Sequence, residues 1–166
     1  LDDLAMTTNG SRLTDASLSA WKSAGLQRLT VSIDSIREDR FAAITRSNFS
    51  ASKLIGAIAA ATRHGFDPIK LNAVIVRSVN EDEIIPLVGL ARGLGVEMRF
   101  IEYMPLDASR AWDTTKLVPA AEVLDRIRSA FPLVALGRGG KGPGADTSST
   151  SVVYGFADGS RGRVGM

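Results

Sequence analysis

The 166-residue sequence contains no cysteine and only one histidine. Without cysteine, the chain can form neither a disulfide framework nor a thiolate metal site. It also has no run of about 18 apolar residues and no signal peptide, so we expect a cytoplasmic protein that does not act on membranes. The formal net charge of +2 is too small to indicate nucleic acid as a partner.

Hydrophobic residues make up 45% of the sequence, which is enough for one packed core. Their pattern indicates strands, each a short apolar or β-branched run that ends in polar residues. These runs are Leu4–Gly10, Arg28–Ser35, Ile69–Val76 and Met98–Pro105. Helical patterns follow the first three, so we predict an α/β fold of consecutive βα units with ligands at the carboxyl ends of the strands. The pattern alone fits either a doubly wound sheet or part of a barrel.

Start and stop signals delimit the helices. Apolar spacing predicts helices at Asp15–Ala24, Ser50–Arg63 and Pro119–Phe131. Asn80, with Glu83 three residues later, is predicted to cap a further helix that ends at Gly93 or Gly95. In the Pro119–Phe131 helix, the residues predicted to face inward are Val123, Leu124 and Ile127.

In the last third of the chain, strand and helix patterns no longer alternate. Leu106–Leu117, which contains Trp112, is predicted to be a long loop, called here the excursion. The Gly-rich segment Gly137–Asp146 is predicted to be a mobile loop. That segment is not a phosphate loop, because no Ser or Thr follows its lysine and no strand leads into a helix there. The final residues predict an antiparallel hairpin of Val152–Phe156 and Gly162–Val164 that turns at Asp158-Gly159.

Lys70 and Asn72 are the polar residues whose position most clearly suggests a role in ligand binding or catalysis. They are two residues apart in a predicted strand, so they project from the same face. A lysine inside a sheet is costly to desolvate unless an anion meets it, which favours a phosphate contact or a Schiff-base amine. The alternative is that Lys70 lies at the start of the strand and its ammonium reaches water. Elsewhere, Thr7 and Ser32 offer strand-end hydroxyls suited to a nucleotide or an amino acid, although such residues also form ordinary turns.

Several short segments between Thr7 and Trp112 keep an order and spacing found in a known family. They are Thr7–Gly10, Ala24–Leu26, Val31–Ser35, Lys70–Ile75, Asn80 with Glu83, and Arg99–Pro105 with Trp112. Together they strongly resemble the MoaA family of radical S-adenosylmethionine (SAM) GTP 3′,8-cyclases, which act in molybdenum cofactor biosynthesis. Arg99–Pro105 is the most specific of these segments, and the resemblance is weaker after Trp112.

The resemblance implies an incomplete, partial TIM-like radical SAM barrel. Residues 1–112 would be its third to sixth strands, and residues 113–166 would begin a C-terminal α+β extension. The family uses SAM and two 4Fe–4S clusters to generate a 5′-deoxyadenosyl radical that attacks the ribose of GTP. The cluster cysteines and the Gly-Gly-Glu-Pro motif of the family are absent from this sequence. We therefore expect the chain to be the middle of such an enzyme and to be inactive by itself.

The resemblance also implies site residues by position. Ser32 and Met104 would contact SAM, whereas Thr7 and Lys70 would contact GTP, with Lys70 facing phosphate oxygens. It implies no catalytic residue and no metal ligand in this chain. The implied partners are GTP, SAM and, for the parent protein, a second copy in a homodimer. One departure is Ser78, where the family usually has Gly; a positive φ there would cost Ser more than Gly.

Two other functions remain open. The chain could be a cysteine-free nucleotide-binding module. It could also be a lyase in which Lys70 forms a Schiff base with a carbonyl substrate.

Overall fold

The computed structural model describes residues 3–105, 113–138 and 151–166. The chain consists of two compact units, Leu1–Asn72 and Ala73–Met166, called here the first and second unit. In chain order, the elements are β1 (Ala5–Thr8), α1 (Asp15–Ser23), β2 (Arg28–Ser32), α2 (Glu38–Thr45), α3 (Ala51–Arg63), β3 (Ile69–Ile75), α4 (Ile84–Leu94), β4 (Glu97–Glu102), α5 (Ala120–Ala130), β5 (Leu133–Arg138), β6 (Val152–Phe156) and β7 (Arg163–Gly165). Two 3-10 turns occur at Glu81–Glu83 and Thr114–Lys116.

In the first unit, β1, β2 and β3 pair in parallel in that order. One face of β2 and β3 is apolar and fully buried, as shown by Leu29, Val31 and Leu71 with at most 1% of their surface exposed. The helices contribute equally buried residues, among them Leu18 and Leu54. Parallel strands joined by helices confirm the predicted α/β class and its consecutive βα units.

Side chains satisfy free amides at the starts of α1 and α3 in the first unit. Thr14 and Ser17 form a reciprocal capping box at α1. At α3, the Ser50 hydroxyl accepts from the Lys53 amide, and the Glu38 carboxylate accepts from the amides of the first two helical residues at 2.9 Å each. The bond from the Ser52 amide is the largest cause that lowers the pKa of Glu38 below its ordinary value. The predicted helices Asp15–Ala24 and Ser50–Arg63 are therefore confirmed to within one residue at each end.

In the second unit, the strand order is β4-β7-β6-β5. β6 pairs antiparallel with β7, which confirms the hairpin predicted from the last residues, and the turn lies at Ala157-Asp158. Two features were not predicted: β7 pairs in parallel with β4, and β5 pairs antiparallel with β6. Gly137 and Arg138 belong to β5, so the loop predicted from Gly137 is wrong for these two residues. The rest of that loop, Trp112 and most of the predicted excursion lie outside the described residues.

The prediction that Asn80 caps the helix after β3 is wrong. Its side chain makes no cap hydrogen bond. Instead, Oδ1 accepts from the Val76 amide at 2.8 Å and Nδ2 donates to the Val74 carbonyl at 2.9 Å. Asn80 is only 1% exposed, and these strand-end groups need a partner inside the protein. The Asn80 side chain is therefore engaged by backbone groups at the end of β3, and a 3-10 turn at Glu81–Glu83 leads into α4.

A carboxylate between two arginines joins α5 to the segment after β3 within the second unit. Glu122 accepts from Arg77 and from Arg126, each at 2.6 Å, and Arg77 also donates to the Leu117 carbonyl at 3.2 Å. The bond from Arg77 is the largest cause that lowers the pKa of Glu122. Of the residues predicted to face inward on α5, Val123 and Ile127 are buried and Leu124 is partly buried.

Among the described residues, no helix combines the length and the apolar character needed to cross a membrane. The domain division predicted at residue 112 stays a prediction.

Ser78 has a φ of 60°, so the strain anticipated at this position is present. We expect Ser78→Gly to raise the free energy of unfolding by about 0.5–1 kcal/mol, because relief of the strain exceeds the extra entropy of an unfolded Gly. Urea unfolding measures the change. The matched control Ser19→Gly, in the middle of α1, should lower stability by about 0.5 kcal/mol. A loss of stability in Ser78→Gly would contradict the prediction.

Glu122 predicts a pH-dependent contribution to stability. Because its pKa is lowered in the folded protein, its contribution is complete above the ordinary carboxyl pKa of about 4.5 and is lost as pH falls through the folded value. We expect Glu122→Gln to lower the thermal midpoint at neutral pH, and the difference from the wild type to vanish in acid. Thermal unfolding across pH tests this, with the exposed carboxyl change Asp125→Asn as control. A difference independent of pH would contradict the assignment.

Candidate functional site

The register of the first three strands aligns polar side chains across one face of the first unit. Thr7 pairs with Thr30 across β1 and β2, and Thr30 pairs with Lys70 across β2 and β3. One step further along, Ser32 pairs with Asn72. Residues in register on parallel strands, and residues two apart on one strand, project to the same side. We call this set the polar face: Thr7, Thr30, Ser32, Lys70 and Asn72.

The polar face brings together three of the four site residues predicted from the sequence: Thr7, Ser32 and Lys70. Neighbouring strands are about 4.8 Å apart, so the backbones of Thr7 and Lys70 are roughly 10 Å apart. This distance is within the span of a nucleotide. Sequence reasoning missed Thr30, which lies inside an otherwise apolar run. Its spacing of two residues from Ser32 within one strand was a visible signal that the two share a face, whereas its alignment with Lys70 is not visible in the local sequence.

Exposure differs strongly across the polar face. Thr7 and Ser32 are exposed and Thr30 is partly buried, whereas Lys70 is only 8% exposed. This burial disfavours the alternative in which the Lys70 ammonium extends into open water. The face therefore combines accessible hydroxyls with a shielded cation, and a bound anion would offset the desolvation of that cation.

Asn72 carries an unusual polar atom. Its Oδ1 is buried and accepts no hydrogen bond from any residue that the structure describes. Buried polar atoms in folded proteins nearly always have a partner, so an orphan of this kind calls for an explanation. Its position beside Ser32 places it within the polar face.

The loop after β1 is a tight turn with its side chains engaged. Thr8 Oγ1 accepts from the Gly10 amide at 3.0 Å, and Asn9 Oδ1 accepts from the Ser11 amide at 3.1 Å. Gly10 has a φ of +80°, and a Cβ there would lie 2.0 Å from Leu54 Cδ1. The turn therefore requires glycine, and Asn9 acts as a turn former.

Met104, the fourth predicted site residue, belongs to the second unit. It follows β4 and is 49% exposed. On β4 itself, Glu97 and Arg99 form an ion pair that sequence reasoning missed, although their spacing of two residues within a strand was visible. Gly165, in register with Arg99, makes room for it, because a Cβ there would lie 3.0 Å from Arg99 Cγ.

The residues of this chain suit a nucleoside better than a metal cluster. The sequence has no cysteine, so it offers no thiolate to a 4Fe–4S cluster. Within the described ranges, no three His, Asp or Glu residues gather into a metal site. The polar face, in contrast, offers hydroxyls, a cation and an unsatisfied acceptor, which are the groups that bind a ribose and an anion.

Comparison with known proteins identifies similar sequences. The profile of the Radical SAM superfamily matches residues 1–91. The GTP 3′,8-cyclase of Parasynechococcus marenigrum is 40% identical over 96% of this chain and 47% of its own length. The GTP 3′,8-cyclase of Xanthomonas axonopodis pv. citri is 38% identical over 100% of this chain and 47% of its own length. That of Pelotomaculum thermopropionicum is 44% identical over 81% of this chain and 41% of its own length.

The chain thus spans about half the length of the curated relatives it matches. These findings confirm the resemblance to radical SAM GTP 3′,8-cyclases and, with the βα units described above, the fold class of a partial TIM-like radical SAM barrel. The profile covers more than half of the residues. The chain belongs to the radical SAM superfamily.

Proposed function

We propose that this chain is part of a radical SAM GTP 3′,8-cyclase, an enzyme of molybdenum cofactor biosynthesis, and that its polar face binds the nucleotide. The reaction is supported by the similarity to GTP 3′,8-cyclases. The observation that carries the site assignment is the aligned row of Thr7, Thr30 and Lys70. The proposal keeps GTP and SAM as ligands, a cytoplasmic location and a homodimer of the whole protein.

Lys70 is proposed to hold the phosphates of GTP. Lys70 lies on the polar face in register with Thr30 and is 8% exposed. The three donors of an ammonium can meet phosphate oxygens without strict geometry. Thr7, exposed at the other end of the row, is proposed to hydrogen bond to the same nucleotide through its hydroxyl.

Ser32 and Met104 are proposed to contact SAM. Ser32 is exposed at the carboxyl end of β2, where its hydroxyl can both donate and accept. Met104 offers a flexible thioether that can pack on a ligand. SAM with a reduced 4Fe–4S cluster would supply the radical that starts the reaction. This chain would contribute binding and orientation, and no cluster ligand.

Substitution of Lys70 tests the phosphate contact. In the full-length protein, we expect Lys70→Met to weaken GTP binding by roughly 10- to 100-fold, which corresponds to the loss of one charged hydrogen bond. Lys70→Arg should keep part of the affinity. Because guanosine has no phosphate, Lys70→Met should bind it about as well as the wild type does. Isothermal titration calorimetry measures the affinities of the wild type and of both variants, and Lys53→Met, at an exposed position on α3, is the matched control.

Equal GTP affinity of Lys70→Met and the wild type would contradict the phosphate contact. A carbonyl substrate trapped on Lys70 by borohydride would instead support the Schiff-base lyase.

The isolated chain is predicted to lack radical activity. We expect no 5′-deoxyadenosine after reconstitution of this polypeptide with iron and sulfide in the presence of SAM and a reductant, because it offers no thiolate ligand. The full-length protein, treated in the same way, is the positive control, and chromatography of the nucleosides is the measurement. Formation of 5′-deoxyadenosine by the isolated chain would refute the prediction.

A further inference from the structure

Helix α5 takes its cap from another element of the second unit. The helix begins after Pro119, whose side chain makes no cap hydrogen bond. Glu122, in the first turn, could reach back to the start of the helix, but its carboxylate accepts from two arginines. The Ala120 amide is instead satisfied by Glu102, whose Oε1 accepts from it at 2.6 Å. This carboxylate also lies at the positive end of the helix dipole, which strengthens the contact.

Glu102 reaches this amide because of its place on β4. Met98 and Phe100 belong to the buried face of the strand, and residues two apart in a strand project to the same side. Glu102 is the last residue of β4 and continues that face. Because α5 packs against β4, the end of this face is where a strand side chain can meet the start of the helix.

The bond between Glu102 and Ala120 joins the two ends of the β4–α5 loop at its base. Met104 lies in this loop, two residues after Glu102, and is 49% exposed. Near its other end, the loop is attached to the end of β3, because Leu117 forms a bridge with Val76. A loop held at its base samples fewer conformations, so it loses less conformational entropy when a ligand orders it.

We propose that Glu102 is a positioning residue for SAM. Its hydrogen bond to Ala120 holds the start of the β4–α5 loop, and with it Met104, in the conformation that contacts the ligand. The inference rests on the proposed function, in which Met104 contacts SAM. It adds a residue that acts through Met104 and makes no contact with the ligand itself.

The test titrates SAM and GTP into the full-length protein reconstituted with iron and sulfide. We expect Glu102→Leu, which removes the acceptor, to raise the Kd of SAM by roughly 3- to 10-fold. Glu102→Gln keeps an acceptor oxygen and should retain most of the affinity. The Kd of GTP, which is proposed to depend on Thr7 and Lys70, should change in neither variant.

A double-mutant cycle with Met104 separates positioning from a direct contact. In the Met104→Ala background, Glu102→Leu should weaken SAM binding no further, because the side chain through which Glu102 acts is gone. If Glu102 contacted SAM independently of Met104, the effects of the two substitutions would add.

A stability control separates positioning from the loss of a helix cap. Glu102→Leu should lower the thermal midpoint by about 2–4 °C, because the start of α5 loses its partner. Ser50→Ala removes a cap of α3 in the first unit and should lower the midpoint by a similar amount. It should leave the Kd of SAM unchanged.

Three results would overturn the inference. They are an unchanged Kd of SAM in Glu102→Leu, additive effects in the cycle with Met104, and equal weakening of SAM and GTP binding. If Met104→Ala alone leaves the Kd of SAM unchanged, the inference fails together with the assignment of Met104 to SAM. If the wild type binds neither SAM nor GTP, the whole proposed function fails with it.

Discussion

The parallel register of β1, β2 and β3 is the constraint on which the candidate site depends. A slip of one residue would turn every side chain to the opposite face. It would expose Leu29, Val31 and Leu71, which are now almost fully buried. Burial of each such side chain contributes about 1.5–3 kcal/mol, so the core sets the register firmly. The polar face is the other side of the same strands, and its geometry is therefore fixed by buried core residues.

A few residues adopt positions or conformations that cost folding free energy. Lys70 is nearly buried, Asn72 carries an unsatisfied acceptor, and Ser78 has a left-handed backbone. Conflicts of this kind are expected where function competes with stability. They do not have one origin, however. Those at Lys70 and Asn72 lie on the polar face, whereas Ser78 lies in a turn in which the Glu81 carboxylate accepts from the Val79 amide at 3.2 Å. Only the first two concern the candidate site.

Sequence patterns predicted the elements that have strong local signals. Amphipathic spacing and caps located α1, α3 and α5, and β-branched runs located the first four strands. The failures have non-local causes. β5 contains Gly137 and Arg138, which resemble a loop, and it exists because it pairs with β6. Asn80 has the composition of a helix cap, but its burial beneath the end of β3 gives it nearer partners at Val74 and Val76.

In the candidate site, too, some features follow from the local sequence and others require the folded chain. That Lys70 and Asn72 share a face follows from the period of a single strand, and the sequence predicted it. Their alignment with Thr30 and Ser32 requires the strand register, which only the folded chain defines. The missing partner of Asn72 Oδ1 is still less local, because it is a property of every donor around one atom. Local sequence patterns therefore predict which residues share a strand face, whereas the register and the hydrogen-bond partners of each atom require the folded chain.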